Sequence, residues 1–200
     1  MSRVPCRMLA AMLVIASPLN AQRADQLSRG ARQYVSVPEP VVALTGVTVI
    51  DGTGAAARTG QTVVIRDGRI AAVGPEASTT IPAGARRIAL PGHTVIPGII
   101  DMHDHMFYTA PGGRRVASTL TSTRLYLGSG VTTIRTTGSA APYQDINVRA
   151  SVERGEAVGP RIHITAPYVT GDGGGYMAEV HSPEQARRFV AYWGDRKSVV

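Results

Sequence analysis

Leu90-Pro91-Gly92-His93-Thr94-Val95-Ile96-Pro97-Gly98-Ile99-Ile100-Asp101-Met102-His103-Asp104-His105 decides how the rest of the chain is read. An apolar run from Val95 to Ile100 opens a strand whose polar end carries His103 and His105. Side chains two apart in a strand share a face, so both imidazoles point one way, within reach of a single metal ion. Neutral imidazole is a good ligand for zinc and similar cations, and two histidines leave coordination positions for other ligands and for water. A bare His-x-His also occurs as a polar pair at a sheet rim, so its surroundings must decide. Asp101 shares the histidines' face, either supporting the ligands or serving as a structural carboxylate at the strand end. Asp104 points the other way.

Downstream, strand and helix patterns alternate. Val116, Leu120, Thr123 and Leu127 mark one helical face, and Gly128 with Gly130 stop that helix before a strand at Val131 to Arg135. A second helix is expected over Asp145 to Glu153, closed by Gly155, and a strand from Arg161 to Thr165. Ser182, Pro183 and Gln185 form a capping box for a third helix with the apolar stripe Ala186, Phe189, Val190 and Trp193. Three βα units in succession imply a parallel sheet. Upstream, β-branched runs at Val47 to Ile50, Val63 to Ile65 and Ile70 to Val73 are broken by turn residues. Asp67-Gly68 suits a two-residue hairpin turn with both residues at positive φ. The segment from Val41 to Pro97 reads as a small antiparallel β unit, with order beginning near Val41.

The first 21 residues have the form of a secretory signal peptide. Arg3 and Arg7 precede the apolar stretch Met8 to Ile15, then Pro18 and a small residue at a cut after Ala21. That stretch is short of the roughly 20 residues that span a bilayer. Cys6 is the one cysteine and would leave with the signal, which fits a periplasmic or secreted protein. Residues 22–40 read as a polar N-terminal arm. Hydrophobic residues make up 44% of the 200 and charged residues 18%, the balance of a chain that buries a core. The formal net charge of +7 includes Arg3 and Arg7, and the other arginines are scattered or paired with few aromatics among them. That pattern argues against a nucleic-acid partner.

Together, the Leu90 to His105 string and the upstream Val63-Val64-Ile65-Arg66-Asp67-Gly68-Arg69-Ile70-Ala71-Ala72-Val73-Gly74 resemble the amidohydrolase superfamily. Gly130-Val131-Thr132-Thr133-Ile134-Arg135 and Gly159-Pro160-Arg161-Ile162 are similar to its imidazolonepropionase-like branch. The resemblance covers roughly residues 44 to 194. It implies an α/β fold: a β-sandwich portion at 41–97, then at 98–194 the first three βα units of an incomplete metal-dependent hydrolase (β/α)8 TIM barrel. His103 and His105 carry over as metal ligands for one or two divalent ions, zinc foremost. The family's other ligands and its catalytic aspartate come from the fourth to eighth strands, beyond Gly194. The implied reaction is hydrolysis of a carbon–nitrogen bond in a small-molecule substrate by a metal-activated water. Two other functions fit the scaffold, a metallo-dipeptidase and a binding protein that has lost the remaining ligands.

Other conspicuous residues match no ligand position. His93 reads as a surface or packing residue, and His163 and His181 stay unassigned. Gly171 to Gly175 reads as a flexible loop that could border a substrate pocket, since the setting of a nucleotide cradle is missing. Asp195-Arg196-Lys197-Ser198-Val199-Val200 continues neither the last helix nor a following strand. It is the translation of GATCGGAAGAGCGTCGTG, a common sequencing-adapter string, so natural sequence is expected to end at Gly194. On that reading Lys197 is not the family's metal-bridging lysine, and the 200-residue chain by itself is expected to be inactive.

Overall fold

The computed structural model describes residues 22–175 and 177–195. The signal-peptide reading, Cys6 and residues 196–200 of the adapter reading lie outside the described residues. Among those described, no helix is long and apolar enough to cross a membrane.

The first sheet is built around β1 (Val41–Val49), whose run of buried residues makes it the central strand. It pairs antiparallel with β2 (Arg58–Arg66), which pairs antiparallel with β3 (Arg69–Pro75). Asp67 and Gly68 turn that hairpin at φ 50° and 74°, as a two-residue turn of this hand requires. On its other side β1 takes β4 (Arg86–Ala89) and β5 (Thr94–Val95), both parallel to it. The expectation of an antiparallel unit is therefore corrected to a mixed five-stranded sheet. After the hairpin the chain crosses back and runs along the free edge of β1 in the direction of β1 itself. Val47, Val49 and Val63 form its core, with Leu44, Ile65, Leu90 and Val95 packed against them.

The apolar run Val95 to Ile100 is divided between two sheets. Val95 belongs to β5, Pro97 has no amide hydrogen to give a ladder, and β6 (Ile99–Asp104) begins the second sheet. There β6, β9 (Val131–Thr136) and β10 (Arg161–His163) are parallel neighbours in chain order. Each is followed by a helix: α2 (Thr119–Gly128), α3 (Pro142–Glu153) and α4 (Pro183–Gly194). Met106, Ile134, Val148, Val152, Ile162 and Ile164 make the core between sheet and helices.

Several local expectations are corrected. Val116 is not helical: β7 (Phe107–Thr109) and β8 (Arg115–Ala117) form a hairpin in which Val116 faces Tyr108. The buried face of α2 is Thr119, Ser122 and Thr123, while Leu120 is 56% exposed. At α4, Ser182 accepts the Gln185 amide hydrogen, but the Gln185 side chain accepts from His181 N, one residue ahead of the usual capping box. Of its stripe only Trp193 is buried, against Tyr143 of α3. A short parallel pair, β11 (Val169–Thr170) with β12 (Ala178–Glu179), flanks the glycine-rich loop.

The arm is ordered before Val41. A 3-10 turn (Ala24–Gln26) and the short α1 (Arg29–Arg32), capped by Ser28, bury Leu27 and Ala31. The Gln22 side-chain amide donates to Val152 O at 2.6 Å and Ala157 O at 2.8 Å, and Ser28 N donates to Gly155 O at 2.9 Å. The arm straps itself to the end of α3.

Candidate metal centre

His103 lies within β6 and His105 directly after it, so both stand at the carboxyl end of the first parallel strand. Their ring centroids are 5.6 Å apart, edge to face. Two imidazoles sharing one ion at zinc–nitrogen distances of about 2.0–2.1 Å place their centroids about 5 to 6 Å apart, so the pair fits such an ion. His103 is exposed and His105 half-buried. The structure thus brings together the two residues singled out from sequence.

Two further aromatic rings flank His105. Tyr168 Oη stands 3.3 Å from its Nδ1 and 3.4 Å from its Nε2, about equally near both ring nitrogens. The Tyr168 ring reaches this place because Gly138 has no side chain; a Cβ there would lie 2.3 Å from the ring. Phe107 packs on the other side, centroids 5.0 Å apart.

Asp101 acts locally: its Oδ1 accepts the His103 backbone N–H at 3.0 Å. Asp104 faces away from the imidazoles and is 8% exposed. Its Oδ1 accepts the His105 N–H at 2.7 Å and also the Tyr126 hydroxyl, while Oδ2 has no hydrogen-bond partner among the described residues. Tyr126 Oη lies 2.7 Å from His105 O and 2.7 Å from Tyr108 Oη. Burial first, then the Asp104 hydrogen bond, pushes the Tyr126 hydroxyl far above the ordinary tyrosine range, which keeps it a donor. Sequence reasoning missed Tyr126, Tyr168 and Gly138. Nothing in spacing connects residues 126, 138 and 168 to position 105.

His93 is exposed, with Nδ1 3.3 Å from Pro91 O, and His163 ends β10 exposed. His181 meets Asp172 at 2.5 Å, and with Glu179 the three offer ligand atoms within 4.8 Å of one another. All three are exposed, and only their proximity points to a cation.

A sequence model of the amidohydrolase family matches residues 94–200. The imidazolonepropionase of Mycolicibacterium smegmatis is 33% identical over 92 residues, 46% of this chain and 22% of that protein. The allantoinase of Solibacter usitatus is 40% identical over 70 residues, 35% of this chain and 14% of that protein. A crystal structure from Bifidobacterium longum, described as a candidate prolidase, superposes with a TM-score of 0.65 at 32% identity, covering 79% of this chain and 39% of its own. The chain therefore spans about a fifth or less of the length of these curated relatives and two fifths of the solved structure. With more than half of its residues matched by the family model and its two histidines set at the end of the first parallel strand, the chain belongs to the amidohydrolase family.

Proposed function

We propose that the whole protein is an exported metal-dependent hydrolase of carbon–nitrogen bonds in small molecules, and that residues 98–194 are the opening of a (β/α)8 barrel preceded by part of a β-sandwich. The observation that carries this reading is the His103–His105 pair at the strand end in a chain of this family. Active sites of such barrels lie at the carboxyl ends of the strands, built from the loops that follow. Sequential order of β6, β9 and β10 is the order a barrel uses, and Ile100 and Met102 on the edge strand are 61% and 59% exposed, as for a sheet that continues.

His103 and His105 would hold the ion, zinc foremost, through neutral ring nitrogens, with the Tyr168 hydroxyl beside the His105 ring. A bound divalent ion supplies an acidified water and positive charge for a developing oxyanion. Asp101 holds the His103 backbone at its place in the strand. A second reading, hydrolysis of dipeptides, is favoured by the likeness to the Bifidobacterium structure.

The test uses the full-length protein, expressed from its gene with and without His103→Ala. Elemental analysis of the parent should find a divalent metal that the variant loses at least in part, and unchanged metal content in the variant refutes the ligand assignment. Assay against cyclic amides and against proline dipeptides separates the two substrate classes. An amino terminus at Gln22 in the exported product supports the signal-peptide reading, and a retained Met1 refutes it.

A further inference from the structure

We propose that Asp104 and Tyr126 form a backbone clamp that positions His105 for metal binding, an inference that rests on the reading of His103 and His105 as ligands. The backbone of each histidine is held by a neighbouring carboxylate. His103 falls where the ladder between β6 and β9 shifts register, between Asp101 and Asp104, and its N–H donates to Asp101 Oδ1 at 3.0 Å. The ladder's last pair is Asp104 with Thr136, so His105 is the first residue beyond it. At that point both polar backbone groups of His105 pass to the clamp. Its N–H donates to Asp104 Oδ1 at 2.7 Å, and its carbonyl oxygen lies 2.7 Å from the Tyr126 hydroxyl, which also meets Asp104 Oδ1.

The carboxylate is an expensive choice for packing alone. Asp104 is 8% exposed, and burying a charge is costly unless hydrogen bonds compensate it. Its Oδ2 has no partner among the described residues, so its compensation is concentrated on Oδ1, in the two hydrogen bonds that touch His105 or its holder. Tyr126 comes from α2, in the interior of the α/β unit, and its ring packs against the core cluster that includes Met106 and Ile134. Tyr108, from the β7–β8 hairpin, adds a hydroxyl 2.7 Å from Tyr126 Oη and can donate to it, leaving the one Tyr126 proton to be shared between Asp104 Oδ1 and His105 O. The position of one imidazole is thus referred to the hydrophobic core through a single hydroxyl. Tyr126 is a positioning residue: it acts on the metal only through His105.

The full-length protein, stripped of metal, is titrated with Zn2+ by chelator competition and with Co2+ by visible absorption. Its partners are Tyr126→Phe, Asp104→Leu, their combination, Asp104→Asn and His103→Ala. Groups that orient a ligand are commonly worth about 10- to 100-fold in metal affinity. Tyr126→Phe and Asp104→Leu should each weaken zinc binding by that factor and shift the cobalt band, and the double variant should lose no more than the worse single one. Asn keeps an oxygen to accept from both donors, so Asp104→Asn should bind zinc measurably more tightly than Asp104→Leu.

Melting of each metal-free variant shows that it folds, and either Tyr126→Phe or Asp104→Leu in folded form decides the matter. Parental zinc affinity and cobalt spectrum in a folded clamp variant overturn the proposal. So does Asp104→Asn falling as far as Asp104→Leu, since charge and not hydrogen-bond geometry would then carry the effect. His103→Ala with full metal content removes the ligand reading itself. Loss in His103→Ala without loss in Tyr126→Phe removes the clamp alone.

Discussion

Around the five-stranded sheet the buried side chains are mostly small and apolar, with Ala43, Val47, Val63 and Val64 among the least exposed. Around the three-stranded sheet an apolar cluster is joined by buried Thr136, Thr165 and Ser139 and by the buried carboxylates Asp104 and Asp145. The first arrangement makes a platform, since apolar burial is non-directional and asks only for shape. The second gives several of its interior polar atoms specific partners, as in Gly138 N with Thr165 Oγ1 at 2.7 Å and Ser139 Oγ with Asp145 Oδ2 at 2.5 Å. Buried polar groups need such partners, and these hold the segments that follow β9 and β10 beside the histidines' strand.

The largest effect should come from the apolar cluster under the site. Ile134 is fully buried, and Ile134→Ala should cost about 2 to 5 kcal/mol in urea unfolding of the full-length protein. A second, unshifted transition belonging to the five-stranded sheet would show that the two units unfold separately.

A smaller effect isolates the polar side of the contrast. Burial raises the Asp145 carboxyl from its ordinary 3.8 to about 6, against the hydrogen bond from Ser139, which lowers it. Between those values the folded protein holds a proton that the unfolded chain has released. The contribution of Asp145 is therefore greatest below about pH 4 and is lost as pH rises through 6. Compared with Asp145→Asn at each pH, the parent should lose about 2 to 3 kcal/mol between pH 4 and pH 7. A pH-independent difference between the two proteins would reject the raised carboxyl.

The smallest effect lies in the platform. Gly68 turns its hairpin at φ 74°, and Gly68→Ala should cost about 1 kcal/mol, read as a small drop in the thermal midpoint. Metal content should not respond, because the hairpin belongs to the five-stranded sheet and the histidines to the other. A change in metal content would mean that the platform also tunes the site.

What the sequence made legible was local. Asp67-Gly68 states its own turn, the capping residues of α4 state its start, and the His-x-His spacing states a shared face. The partners of β4 and β5 were not legible. Strands of four and two residues carry no signal of whom they pair with; they take the edge of β1 that β2 leaves free, and they run parallel to it because the chain crosses back after β3. Val116 falls at helical spacing before Leu120, yet the turn at Gly112-Gly113 commits it to the hairpin with Tyr108. Of the candidate metal centre, His103, His105 and the course of Asp104 away from the imidazoles could be read from strand periodicity. Tyr126 and Tyr168 could not, because they arrive from α2 and from beyond β10, and only the packed fold brings them to His105.

The strap made by the arm has a consequence for the order of assembly. Gln22 binds the carbonyl of Val152, 130 residues later in the chain. During synthesis the hairpin of the first sheet can close as soon as it emerges, whereas the arm has nothing to grip until α3 and the loop after it exist. Contacts of such long sequence separation come late and pay the loop-closure entropy of everything between them. The first described residue to leave the ribosome is among the last to find its place, and the latch closes only over a finished second helix of the α/β unit.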